Sequence, residues 1–315
     1  MLRAAHFQII RPFNLFIIAL TGLLVAYGMF AGTTDRATDL VSHFQVLIFA
    51  LSFVAIGAAG YIWNDLEDLE TDRINRPDRV LARGDITPRN AGRLALMWAI
   101  FGLVAAILAN FQLSVVPFSG VYLLYAALLY AYAIRLKCTV LLGNLVVALL
   151  CAGVVPAGFY AGTHLLGEGD ESAAFGFWFP LMVGYTAFAF FTTLLREMVK
   201  DQEDLPGDRA IHCDTFPVRA GETTARIVAA VMATILTATL IGLSAVLAIG
   251  LLYTGNIPGL ICAVGGIVLS LVVAVKLWRA RLRTDYAAAS RSIKMLMLVG
   301  LLFLFFLMVF RIEEQ

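Results

Sequence analysis

Charge is what this 315-residue chain lacks: Asp, Glu, Lys and Arg make up 14% of it, against 61% apolar residues. Soluble domains carry about 25% charged and roughly 45–50% apolar residues, so a soluble globular fold is excluded. The 23 basic residues are met by 22 acidic ones, which leaves neither a surplus for holding nucleic acid nor an acidic tail. Cysteine is scarce as well. Cys138, Cys151, Cys213 and Cys262 lie far apart with no C-x-x-C pair, a spacing that points to neither a disulfide scaffold nor a zinc site and reads as small apolar packing residues. No nucleotide-binding glycine pattern, Ser/His/Asp arrangement or low-complexity linker stands out. What remains is apolar sequence, enough of it for nine helices of about 20 residues, the length that crosses a bilayer.

Hydropathy predicts those nine spans at roughly 13–32, 45–63, 91–109, 113–134, 139–162, 174–195, 225–247, 257–277 and 293–310. The first is long, has Arg11-Pro12 at its mouth and lacks a small-residue cleavage pattern, which argues against a removed leader. A cytoplasmic N-terminus puts 21 of the 23 Lys and Arg residues on the cytoplasmic side, with only Arg36 and Arg311 outside. Translocating those charges is costly, so this orientation in the cell (inner) membrane is the expected one, with the C-terminus outside. The expectation is an all-α, multi-pass membrane protein forming one domain over 1–315.

Two cytoplasmic connections are unlike the rest. Segments 65–85 and 197–222 hold 14 of the 22 acids. Each contains D-x-x-D-x-x-x-D: Asp65, Asp68 and Asp72 within 64–72, and Asp201, Asp204 and Asp208 within 201–208. On a helix, positions i, i+3 and i+7 share one face, so each trio can aim its carboxylates at one point, with Glu67 and Glu70 on other faces. The second trio is less regular, because Pro206-Gly207 is expected to break the helix before Asp208. Three like charges on one face repel unless a cation compensates. Hard oxygen ligands suit Mg2+, which takes one or two carboxylates and shares its octahedron with water and substrate phosphates. Two such trios could hold two or three ions around a diphosphate. The bland alternative is a pair of solvated loops whose acids pair with Arg73, Arg76 and Arg79. The same spacing twice, each time after an apolar span, favours the metal.

Bases stand close by in sequence. Lys200 precedes the second trio, Arg196 lies a turn earlier, and Arg11 and Lys137 sit at other cytoplasmic span ends. Interleaved acid and base suit a metal–diphosphate complex, although membrane anchoring explains any single arginine equally well. Glu197 shares the face of Asp201 and is placed either to pair with Lys200 or to assist an acceptor. His212 follows the second motif, with a solvated loop role as its alternative.

At these residues the sequence resembles the UbiA superfamily of intramembrane prenyltransferases, with Asn64-Asp65-x-x-Asp68-x-x-x-Asp72 as that family's first motif and a second Asp motif in the later loop. The resemblance covers essentially the whole chain. It implies nine helices around a central cavity, Mg2+ at its cytoplasmic mouth, and transfer of an isoprenoid from its diphosphate to a lipophilic acceptor. By motif match Asn64 and the six aspartates take the metal and diphosphate roles, the aspartates as the catalytic residues, and Arg11 and Lys137 resemble the family's diphosphate-binding bases; Arg76 and Lys200, beside the two motifs, are further candidates for the diphosphate. Asn144 matches a recurring family Asn. Segments 72–79 and 196–208 are similar to the branch that transfers geranylgeranyl to geranylgeranylglyceryl phosphate, forming an ether. One departure is Arg79-Val-Leu-Ala-Arg83-Gly84 where that family often has R-P-I-P-S-G.

The allylic carbon of the donor would gain cation character as diphosphate leaves, aromatic faces can stabilise it, and an apolar cavity excludes water. Tyr122, Tyr125, Tyr130 and Tyr132 are candidate liners, with plain helix packing as the alternative for each. Phe188, Phe190 and Phe191 point to several faces and are assigned no role. Rival functions are prenylation of an aromatic quinone precursor or a chlorophyllide and, in another class, cation transport. Transport predicts acids within the spans, and here the span centres are nearly free of charge.

Overall fold

The computed structural model describes residues 2–28, 40–109, 118–166 and 171–312, and side chains within 5–28, 40–109, 118–164 and 178–310. Residues 29–32 and 113–117 of the expected first and fourth spans, with Arg36 and the Arg311 side chain, lie outside that range. The regular elements among the described residues are all helices: α1 (Leu2–Ile9), α2 (Pro12–Gly28), α3 (Leu40–Glu67), α4 (Leu69–Asn75), α5 (Pro88–Ala109), α6 (Phe118–Ala131), α7 (Leu142–Leu166), α8 (Glu171–Ala210), α9 (Phe216–Ala220), α10 (Glu222–Tyr253), α11 (Ile257–Arg279) and α12 (Arg283–Ile312). A π-turn at Tyr132–Leu136 prolongs α6. Among the described residues, eight helices are long and apolar enough to cross a membrane. The protein is therefore an all-α, multi-pass membrane protein. The shorter apolar α2, with 17 residues, covers about 25 Å at 1.5 Å per residue.

The chain divides into two compact units, Met1–Thr186 and Ala187–Gln315, with the boundary inside α8. In the first, α3 packs along α5 through small residues. Ala55, Ala58 and Ala59 of α3 and Ala91, Ala95 and Ala106 of α5 are all buried. Small side chains let helix axes approach closely where lipid offers no hydrophobic drive to associate. A Cβ on Gly102 would stand 2.4 Å from the Tyr122 hydroxyl oxygen, and that hydroxyl donates to the Ala99 carbonyl at 2.7 Å. Below this seam Ile9, Leu15, Ile62, Val80, Leu81 and Ile86 form one cluster, so the loop between α4 and α5 is anchored by its own apolar residues.

The second unit is built on Leu195 and Val199 of α8, Ala229, Ala230 and Ala233 of α10, Val273, Ala274 and Leu277 of α11, and Tyr286, Ala289 and Ile293 of α12. Phe188 packs against Gly300, where an added Cβ would come within 2.4 Å of the ring. The α10–α11 turn uses Gly255 at φ +67°. Asn256 caps α11 by accepting from the Gly259 N–H and donates to the Phe306 carbonyl at 3.1 Å.

Two expectations are corrected. The helix does not break at Pro206-Gly207, because α8 runs on to Ala210. A proline costs most in a helix interior, where it removes a hydrogen bond and crowds the carbonyl four residues back. Here it stands in the closing turns, and the Ile211 N–H to the Gly207 carbonyl (3.1 Å) and the Cys213 N–H to the Asp208 carbonyl (2.9 Å) finish the end. The cysteines are not uniformly buried packing residues either. Cys213 is buried, whereas Cys151 is exposed and Cys262 half-buried.

Candidate functional site

The first motif stands where α3 gives way to α4. Asp65 lies on the last turn of α3, Asp68 is the N-cap of α4, and Asp72 lies within α4. The break at Asp68 is shallow: the Asp68 N–H bonds the Asn64 carbonyl at 2.9 Å and the Asp72 N–H bonds the Asp68 carbonyl at 2.7 Å. This i→i−4 ladder preserves helical phase, so all three aspartates share one face, and all three are buried. Glu67 and Glu70 are exposed, as their phase requires.

Each carboxylate is met by a cation. Arg11 pairs with Asp65, and Lys137 pairs with Asp68. Arg79 Nη1 reaches Asp65 Oδ1 at 3.2 Å and Asp72 Oδ2 at 2.6 Å. The Asn64 side-chain amide donates to Asp68 Oδ2 at 2.7 Å. Burying a carboxylate is costly unless it is paired and hydrogen-bonded, and three cations from three separate segments supply that pairing. Burial pushes the Asp72 carboxyl up, against the pull of Arg79. Burial, then the charge of Arg11, pulls Arg79 down. For Arg11 burial also acts downward, but Asp65, with Tyr61 and Asp72, outweighs it and holds the guanidinium above its ordinary range.

Arg11 occupies an unusual backbone. Its φ is +54°, a left-handed conformation that costs a non-glycine residue roughly 1–2 kcal/mol. The conformation turns the chain between α1 and α2 immediately before Pro12. Its guanidinium carbon lies 4.9 Å from the centroid of the Tyr61 ring, a cation–π distance. Tyr61 stands one helical turn before Asp65, so a single stretch of α3 holds both partners of Arg11.

Of the arginines after the first motif, sequence reading favours Arg76 for the diphosphate. The structure places Arg79 in contact with Asp65 and Asp72, and half-buried Arg76 also acts on Asp72. The reason lies in the next residues. Val80 and Leu81 insert into the core and turn the preceding side chain back toward α3. The Val-Leu pair after Arg79 was the sequence signal for this. The pairing of Arg79 also matches one feature of the solvated-loop alternative, but the acids it meets are buried.

The second motif is organised differently. Asp201, Asp204 and Asp208 stand on the unbroken last turns of α8, Asp201 and Asp204 half-buried and Asp208 buried. The Thr215 hydroxyl donates to Asp208 Oδ2 at 3.0 Å. Lys200 and Arg196 both engage Glu197, at 3.2 and 2.8 Å, so of the two roles considered for Glu197 the geometry displays the ion pair. Buried Gln202 donates to the Glu222 carbonyl at 3.1 Å, tying this turn to the start of α10. His212, at φ +56°, is exposed. Asn144 is buried near the start of α7. Among the tyrosines, Tyr122 serves packing through Ala99, Tyr125 meets Phe53 edge-on and Tyr130 meets Trp63 edge-on.

Among the described residues no three His, Cys, Asp or Glu side chains form a ready-made metal cluster; the first trio faces cations instead. The donor set nonetheless fits Mg2+. It is all carboxylate and amide oxygen, it is buried, and Mg2+ needs only one or two protein carboxylates beside water and phosphate.

Residues 15–307 match the model of the UbiA prenyltransferase family. Digeranylgeranylglyceryl phosphate synthase of Sulfolobus acidocaldarius is 34% identical over 232 residues, 74% of this chain and 75% of that protein. The synthase of the same name from Methanothermobacter thermautotrophicus is 32% identical over 290 residues, 92% of this chain and 90% of its own length. Among solved structures, a UbiA homologue from Aeropyrum pernix shares the fold with TM-score 0.64 at 18% identity, covering 90% of this chain and 95% of that one. One from Archaeoglobus fulgidus, bound to DMAPP and Mg2+, does so with TM-score 0.55 at 17% identity, covering 94% and 97%. Motif, helical architecture and sequence agree, and the chain belongs to the UbiA prenyltransferase family and is a membrane prenyltransferase.

Proposed function

We propose that the protein transfers a geranylgeranyl group from its diphosphate to geranylgeranylglyceryl phosphate, forming an ether, with Mg2+ as cofactor. The observation that carries this reading is the buried Asp65–Asp68–Asp72 face with its matched cations. Identity to digeranylgeranylglyceryl phosphate synthases supports the acceptor, and the Mg2+ and DMAPP bound to the Archaeoglobus homologue support the cofactor and the donor class. In this reading the chain is one domain of nine spans, its N-terminus and reacting face in the cytoplasm of a cell-membrane protein, as the placement of its basic residues favours.

Asp65, Asp68, Asp72, Asp201, Asp204 and Asp208 are the carboxylates assigned to hold Mg2+, and Asn64 keeps Asp68 oriented. Mg2+ supplies positive charge against the departing diphosphate. Arg11, Arg76, Lys137 and Lys200 add cationic donors for the diphosphate oxygens. The acceptor hydroxyl oxygen bonds to C1 of the prenyl chain, the C1–O bond to diphosphate breaks, and the hydroxyl proton is released. Apolar helix walls keep water from taking the place of the acceptor.

Incubation of purified protein with geranylgeranyl diphosphate and a mixture of geranylgeranylglyceryl phosphate, an aromatic acid acceptor and a chlorophyllide, with Mg2+ or EDTA, tests it. The ether lipid is expected as the dominant product, only with Mg2+. A prenylated ring as the dominant product overturns the acceptor, and full turnover in EDTA overturns the metal.

A further inference from the structure

We infer that Arg79 is the exchangeable counter-cation of the first motif: it holds Asp65 and Asp72 together in the metal-free protein and must leave their oxygens when a divalent ion binds. The inference rests on the Mg2+ reading above and adds an order of events to it. A single nitrogen, Arg79 Nη1, lies within hydrogen-bonding distance of Asp65 Oδ1 (3.2 Å) and Asp72 Oδ2 (2.6 Å). The two acids therefore already converge on one cationic point. A metal ion drawing on both carboxylates competes for those oxygens.

Charge gives the second argument. Three carboxylates face Arg11, Arg79 and Lys137, and Arg76 also acts on Asp72, so these residues carry no net negative charge. Adding a divalent ion to such a buried group is unfavourable unless a cation departs or an anion arrives with it. Of the three cations Arg79 is the one placed to depart. Arg11 is fixed by its backbone turn and by the Tyr61 ring, and Lys137, at the end of the π-turn after α6, pairs with Asp68. Arg79 spans two aspartates from the non-helical connection between α4 and α5. It follows that Mg2+ alone binds weakly, and that Mg2+ and a diphosphate bind cooperatively, because the diphosphate brings the negative charge the group lacks.

The test uses the full chain in detergent, with Mg2+ titrated calorimetrically with and without inorganic pyrophosphate, and thermal unfolding followed in EDTA and in Mg2+. Arg79→Gln removes the competing cation. Without pyrophosphate this variant is expected to bind Mg2+ about tenfold more tightly than wild type, within the ~5–150-fold range of couplings between linked sites. In EDTA it unfolds at lower temperature than wild type, and Mg2+ recovers that loss because the ligand binds only the folded state. Arg79→Lys keeps the charge but not the planar fork, and is expected between the two. It decides the matter by the same titration if the Gln variant cannot be isolated.

Unchanged or weaker Mg2+ binding in the variants, with a thermal loss that Mg2+ does not recover, overturns the inference. Failure of the wild type to bind Mg2+ even with saturating pyrophosphate overturns instead the metal reading on which it rests.

Discussion

The two Asp motifs share a spacing and almost nothing else. In the first, three buried carboxylates stand at a helix junction and meet cations from the α1–α2 turn, the α4–α5 loop and the turn after α6. In the second, the carboxylates ride the end of one unbroken helix. Its buried member accepts from the Thr215 hydroxyl, and the adjacent Arg196 and Lys200 pair with Glu197. The difference teaches that identical spacing fixes which acids share a face and leaves their electrostatic environment open. The first motif is tied into its fold by charge. The second rides an unbroken helix end, with the Thr215 hydroxyl bonded to its buried member.

The largest effect that tests this contrast comes from removing a carboxylate from each motif. Asp65→Ala and Asp204→Ala are both expected to lower turnover at least 100-fold, about the scale of losing a donor from a charge-stabilising site. Asp65→Ala leaves Arg11 and Arg79 short of a partner, and it is expected to destabilise the metal-free fold by about 2–3 kcal/mol, at the low end for breaking a buried pair because both guanidinium groups keep some solvent contact. Thermal unfolding in EDTA beside prenyl-transfer assays checks both numbers, and equal losses of stability would erase the distinction. Next in size is Thr215→Ala, which leaves the buried carboxylate of Asp208 without its hydroxyl donor at a cost of about 1–2 kcal/mol. Denaturant titration measures it, and Thr215→Ser restores it.

Sequence alone made much of this visible. Apolar runs located the helices, because a span must bury about 20 residues in lipid whatever its neighbours do. Helical phase identified the face carrying Asp65, Asp68 and Asp72 and put Glu67 and Glu70 off it. The continuation of α8 through Pro206-Gly207 was not legible, since a proline signals a break unless tertiary bonds such as Thr215 to Asp208 hold the final turn. The double contact of Arg79 was legible only in part: Val80-Leu81 signals burial of the loop, but where that pair packs is a property of the folded core and not of the motif.

Smaller effects sharpen the comparison at its edges. Tyr61→Leu removes the ring beneath Arg11 and is expected to cost about 1 kcal/mol, whereas Tyr61→Phe keeps the ring face and costs less; unfolding of the two variants side by side separates them. Smallest is the Arg83–Asp85 pair, outside the trio and exposed. The Asp85 carboxyl is held below its ordinary range by the Arg83 hydrogen bond. Its contribution is therefore present above the ordinary aspartate range and fades as pH falls through the lowered value. Exposure makes that contribution slight. Arg83→Gln is expected to match wild type in activity and unfolding at neutral pH, and a clear loss would extend the charged lattice beyond the three aspartates.

The left-handed turn at Arg11 has a consequence for anyone who alters this enzyme. Position 11 serves two masters: glycine would suit its torsion angles and relax the junction, yet only a long cation reaches across to α3. Glycine there would relieve roughly 1–2 kcal/mol of torsional strain and forfeit both the Asp65 pair and the Tyr61 contact, so the junction keeps its strained residue because the cation outweighs the bond rotation.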